Sequence, residues 1–139
     1  MNWGLFTLLL ITACVLTWAI VTQYNEAYMR NDPILKELRD DAIRVDPRIG
    51  NLPLYAAEKS YTINKEKTFL CLRDENGEYY SRNMLMYVLL HEFAHVINEE
   101  IGHPPSFYKV FDDLLKKAEA VGVWDRDIPI VKDYCMYND

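Results

Sequence analysis

The hydrophobic pattern divides the chain near residue 25. From Leu5 to Val21 the sequence LFTLLLITACVLTWAIV is apolar except for Thr7, Thr12 and Thr17, and no charged side chain occurs between Met1 and Asn25. At about 1.5 Å of rise per residue, a helix of roughly 17 to 20 residues covers the hydrocarbon core of a bilayer. Trp3, Trp18 and Tyr24 suit its two interfaces. The run lacks the polar stripe of a helix that borders a soluble core. The leading MNWG lacks the Lys or Arg of a secretory signal, and no small-x-small cleavage site follows. Residues 1–25 are therefore predicted to be a retained transmembrane anchor that meets the membrane through residues 5–23, and residues 26–139 to be one domain.

Beyond the anchor the periodicity changes. Asn31-Asp32-Pro33 supplies a capping residue and a proline at a first helical position, after which Ile34, Leu35, Leu38 and Ala42 recur at helical spacing. Pro47, Gly50 and Pro53 predict an irregular, extended connection over residues 46–55. Ser60 to Asn64 (SYTIN) and Thr68 to Arg73 (TFLCLR) are rich in β-branched and aromatic residues, and Asn76-Gly77 is a dipeptide favoured in two-residue hairpin turns. Together they predict a small antiparallel sheet. From Arg82 to Glu99 the chain is apolar on nearly every side, which for a helix means burial at the centre of the domain. Gly102, Pro104 and Pro105 end that helix. Ser106 can cap another, whose apolar face comprises Phe107, Phe111, Leu114, Leu115, Ala118 and Val121 and stops before Gly122. The last stretch carries Trp124, Ile128, Ile130, Val131, Tyr134 and Tyr137 and is expected to lie against the domain.

The formal net charge of −6 argues against a protein whose main affinity is for nucleic-acid phosphates. Arg30, Lys36, Arg39 and Arg44 follow the apolar run and nothing basic precedes it, so the positive-inside rule places the C-terminal domain on the cytoplasmic side of a single-pass protein. Of the three cysteines, Cys14 lies in the anchor, while Cys71 and Cys135 show no framework spacing, which fits a reducing compartment. A lone Cys135 is expected to be a small buried hydrophobe rather than a metal ligand or a thiol that masks one.

The chemistry is concentrated in one place. His91-Glu92-Phe93-Ala94-His95 is an HExxH motif, and on a helix its i, i+4 spacing points both imidazoles from one face toward a single ion. Zinc accepts imidazole nitrogen well, and a catalytic site needs three protein ligands with a fourth position for water. Glu92 would act as the general base on that water. All three histidines of the chain fall between positions 91 and 103. An accidental HExxH is expected in well under about one chain in a hundred of this size. His103, reached after a helix stop at Gly102, is the favoured third ligand, with Glu99 and Glu119 as alternatives. Tyr87, Tyr108 and Tyr134 are considered as donors to an oxyanion, although a packing role is the commoner one for each.

HEFAHVINEEIGHPPSF resembles the arrangement of HExxH, a further His and a following Phe found in WLM and SprT-like zinc metallopeptidases. The segment KTFLCLRDENGEYYSRNMLMYVLLHEFAH, the GHPPSFYKVFDDLLKKA helix and the closing DYC resemble small WLM-like metallopeptidase-type proteins of large double-stranded DNA viruses, over roughly residues 60–136. In WLM proteins the third histidine follows the second sooner than the eight-residue step seen here, so Glu99-Glu100 reads as a short insertion. The resemblance implies an α+β, minimal zincin-like domain with a central HExxH helix. It also implies a zinc site at His91, His95 and His103, Glu92 as catalytic base, and a strand near Thr68 to Arg73 that borders the cleft and could pair with an extended peptide.

Two functions are weighed from this. The first is a membrane-anchored zinc peptidase acting on a peptide or protein substrate. The alternative is a structural or assembly protein that keeps the zincin fold and tethers capsid or other virion proteins to a membrane. A DNA-directed protease rests on family analogy alone.

Overall fold

An unbroken apolar run has no reason to stop forming helix, and in the computed structural model, which describes residues 2–30 and 32–136, it forms α1 (Trp3–Arg30). Its span from Trp3 to Tyr24 is long and apolar enough to cross a membrane, and none of that window is buried against the rest of the protein. This removes the alternative of a core helix. The hydroxyls of Thr7, Thr12, Thr17 and Thr22 each donate to the carbonyl four residues back, at 2.8–2.9 Å. The threonines are thus satisfied within the helix, as a helix in lipid requires.

Asp32 caps α2 (Pro33–Ile43), its carboxylate accepting from the Ile34 N–H at 3.1 Å, with Pro33 at the first helical position. Asn31 lies outside the described residues. The buried face of α2 is Ile34, Leu35, Leu38 and Ala42, the four positions read from its periodicity. The connection expected to be irregular contains two elements. Asp46 caps a 3₁₀ turn (Pro47–Asn51) by accepting from the Arg48 N–H at 2.9 Å, which lets Ile49 enter the core. A strand, β1 (Leu54–Ala56), follows.

The sheet is mixed rather than antiparallel. Its order is β1-β3-β2, with β3 (Lys67–Leu70) parallel to β1 and antiparallel to β2 (Tyr61–Ile63). The parallel pairing joins residues that sequence pattern alone could not associate, and it makes β3 the central strand. Its backbone is paired on both sides, so a peptide cannot add there; β2 is the edge that remains near the histidines. Tyr55, Phe69 and Tyr61 stack across one face of the sheet at 5.0 and 4.6 Å. The alternation of a strand then turns Thr62 and Thr68, cross-strand partners, to the other face. The Asn76-Gly77 dipeptide does not form a two-residue hairpin. Asp74 to Gly77 is a turn closed by the Gly77 N–H on the Asp74 carbonyl, Gly77 takes φ +77°, and a single bridge joins Arg73 to Tyr79.

Ser81 caps α3 (Arg82–Ile97), which ends two residues earlier than the apolar run suggests because Asn98 turns out of the helix. Nine of its residues are buried, from Met84 to Ala94, and it packs on α2, β2, β3 and α4. α4 (Pro105–Ala120) buries Phe107, Phe111, Leu114, Leu115 and Ala118 against it. Its N-cap is Pro104 rather than Ser106, which sits in the first turn.

The C-terminal stretch touches the domain at its two ends. Trp124 and Tyr134 are buried, whereas Ile128, Ile130 and Val131 are exposed, contrary to the expectation that the whole stretch packs. Tyr137 lies outside the described residues. Cys71 and Cys135 form a disulfide, so Cys135 is neither a metal ligand nor a masking thiol.

Candidate metal centre

His91 and His95 lie on the same side of α3 because four residues make about one turn, and that side faces the start of α4. Phe107, fully buried, stacks on the His95 ring at 4.3 Å and meets His91 edge-on at 5.1 Å, while Phe111 meets His91 at 5.2 Å. These aromatic rings form the floor of the site. They leave the histidines half-buried.

His103 arrives from the loop between α3 and α4. That loop is held by Asn98, whose side-chain amide donates to the Glu100 carbonyl and to Ser106 Oγ, each at 3.3 Å, while its own carbonyl accepts from Lys65. Gly102 takes φ +84° immediately before His103, a conformation that suits glycine and turns the chain back over α3. As a result His103 Nε2 stands 3.4 Å from His91 Nε2, and one ring nitrogen from each of the three histidines lies within 4.8 Å of the others.

The His91–His103 separation fits two ligands of one divalent ion. Zinc–imidazole bonds of about 2.0–2.1 Å in tetrahedral array imply nitrogens roughly 3.3 Å apart, close to the His91–His103 separation. Burial, and then the neighbouring His95 and His103, lower the His91 pKa to about 4. The ring is therefore neutral at pH 7, as a ligand must be. Glu99 is exposed, and Glu119 is exposed and paired with Arg126 at 2.8 Å, so neither joins the cluster.

Glu92 leaves α3 in a different direction, toward the sheet. It is 2% exposed, and its Oε2 accepts from the Thr62 hydroxyl at 2.7 Å. Thr62 and His95 line the same surface hollow of about 460 Å³, together with Lys65, Ile101 and Gly102, so the hydroxyl that holds the buried carboxylate faces a space that an imidazole also borders. Neither Thr62 nor Asn98 is singled out by the sequence. A threonine in a short strand and an asparagine after a helix carry no signal until the fold brings them to the motif.

The three tyrosines separate by their surroundings. The Tyr134 hydroxyl donates to the Cys71 carbonyl at 2.5 Å and lies 2.6 Å from Ser60 Oγ, and burial pushes its pKa up. Tyr87 packs between Phe111 and Trp124. Both are packing residues. Tyr108 is exposed, with its ring 6.3 Å from that of His103.

No family model matches the chain, and no solved structure matches it. It is similar to viral proteins. It is 41% identical over 90 residues to Uncharacterized protein 136R of Invertebrate iridescent virus 6, covering 63% of this chain and 51% of that protein. It is 44% identical over 87 residues to Uncharacterized protein 042R of Invertebrate iridescent virus 3, covering 62% and 55%. With Uncharacterized protein R325 of Acanthamoeba polyphaga mimivirus it shares 41% identity over 84 residues, covering 55% and 43%. The chain thus spans about half the length of the curated relatives it matches.

Proposed function

We propose that this chain is a membrane-anchored, zinc-dependent hydrolase of peptide bonds, a minimal zincin-like protein of the WLM/SprT kind. The observation that carries the reading is the convergence of His91, His95 and His103, with Glu92 one residue from the first ligand. When bound, zinc would supply a water of lowered pKa and polarise the scissile carbonyl. Glu92 would take the proton from that water on its carboxylate and pass it to the leaving amine. Tyr108, whose exposed ring lies 6.3 Å from that of His103, would be the candidate donor to a developing oxyanion. β2 is the edge along which an extended peptide could lie. The test uses the full chain in detergent. About one zinc per chain is expected, and Glu92→Gln should keep the metal while lowering peptide hydrolysis by about 10²–10⁴-fold. Equal turnover by parent and variant would reject the enzyme reading.

A second reading is favoured by the exposed apolar surface of α1 and by the viral origin of the relatives. In it the domain is a tether that joins virion proteins to a membrane, and zinc holds its fold together. Particle assembly would then survive Glu92→Gln and fail with His91→Ala. α1 would span the membrane in either reading. Two cues bear on which side the domain occupies: the basic residues after α1 favour the cytoplasmic face, and the Cys71–Cys135 disulfide favours an oxidising compartment. Protease protection in sealed membranes, read together with thiol labelling of Cys71 and Cys135, decides between them.

A further inference from the structure

We infer that Thr62 is the positioning residue for Glu92: its hydroxyl, supported from behind by Thr68, fixes the direction in which the buried carboxylate points. The inference rests on the proposed hydrolase for its catalytic consequence, but the hydrogen bond itself can be tested without activity.

The geometry has three parts. Glu92 Oε2 accepts from Thr62 Oγ1 at 2.7 Å, within the usual range for a hydroxyl bound to an ionised acceptor. Thr62 Oγ1 is 3.3 Å from Thr68 Oγ1. Because the single Thr62 proton is committed to Glu92, the Thr68 hydroxyl must be the donor in that second contact. The result is a chain of two hydroxyls ending on the carboxylate, each bond polarising the next. Thr68 is fully buried, and it is locked opposite Thr62 by the β2–β3 register.

A β-branched side chain has few χ1 rotamers, so threonine in a strand presents its hydroxyl in a fixed direction. Glutamate has three side-chain torsions and, on a helix, no such constraint of its own. The sheet therefore supplies what the helix lacks. A proton acceptor must be held close to its productive geometry for the reaction to proceed. Thr62 does this from the wall of the hollow that His95 also borders.

Thr62→Val keeps the branched shape and removes the donor; Thr62→Ser keeps the donor. In the full chain in detergent, Thr62→Val should lower kcat by about ten-fold or more with KM and zinc content unchanged, and Thr62→Ser should restore most of the rate. A kcat within two-fold of the parent for Thr62→Val, or no rescue by Ser, would overturn the positioning role. Melting provides the second readout. Thr62→Val should lower Tm by several degrees in the parent and by clearly less in the Glu92→Leu background, where no acceptor remains for the Thr62 hydroxyl. Additive losses would show that the two side chains do not interact and would overturn the inference. If the parent hydrolyses no peptide, the hydrolase reading fails, and the melting cycle alone decides whether Thr62 holds the carboxylate.

Discussion

α1 and α3 are both apolar on nearly every side, and they meet opposite surroundings. α3 is covered by α2, α4, β2 and β3, whereas none of the apolar window of α1 is buried among the described residues. The difference is sharpest in their few polar side chains. The threonines of α1 return their hydroxyls to carbonyls of their own helix and require no neighbour. The polar residues of α3 depend on other elements: Glu92 on Thr62 from β2, and His91 and His95 on the floor from α4 and on His103 from the loop. An apolar helix whose polar residues are self-satisfied can sit in lipid. One whose polar residues are completed by distant parts of the chain is a site.

Substitutions at those polar positions carry the largest expected effects. His95→Ala should reduce zinc from about one per chain to near zero by metal analysis and abolish hydrolysis, because two imidazoles no longer make a three-ligand site. Thr12→Val in α1 should leave membrane insertion unchanged, as measured by carbonate extraction. A zinc content unaffected by His95→Ala would remove the basis for the site.

Packing provides the next contrast. Leu89 is fully buried in α3 and Leu9 is 60% exposed on α1. Leu89→Ala should cost about 2–5 kcal/mol in denaturant unfolding of the domain. Leu9→Ala should leave that transition where it is, and a comparable loss would mean that the apolar span of α1 packs on the domain.

The disulfide tests which interactions belong to the fold and which to the metal. Cys135→Ser should destabilise the domain by about 2–4 kcal/mol, since the bridge closes a separation of 64 residues. Zinc content should not change. A loss of zinc at unchanged stability would mean that the bridge serves the metal centre rather than the fold.

The smallest effect is that of acid. The side-chain hydrogen bond from Arg48 holds the Asp46 carboxyl below its ordinary value of 3.8, with the Arg48 backbone N–H and charge adding to it and burial opposing. A carboxyl whose folded pKa is depressed contributes stability above its unfolded pKa of about 4, and that contribution disappears as pH falls through the lower folded value. Asn keeps the cap and loses the charge, so Asp46→Asn should be less stable than the parent at pH 7 and converge with it in thermal melts as pH falls through the depressed folded value. The apolar span of α1 has no charged group and should show no such dependence.

Much of this was legible because it is local. The burial of Ile34, Leu35, Leu38 and Ala42 followed from spacing along one helix, as did the apolar face of α4. The sheet was less legible. β1 pairs in parallel with β3, skipping the strand between them in sequence, and the short run around Leu54 carries no mark of that partner. The Asn76-Gly77 signal was real as a turn and misleading as a two-residue hairpin, because Asp74 offers its own side chain to the Asn76 and Glu78 N–H groups and sets a different closure.

By itself the sequence determined an apolar helix of membrane length, a second that had to be buried, and two imidazoles and a carboxylate at fixed angles around the latter. Those are properties of one helix, set by a rise and a rotation per residue that no tertiary contact changes. Only the folded chain decided that His103 would come within reach of His91, that Phe107 would lie beneath them, that Thr62 would meet Glu92 and that Cys71 would find Cys135. Each joins separate segments, and their approach depends on how whole elements pack, which no local pattern encodes.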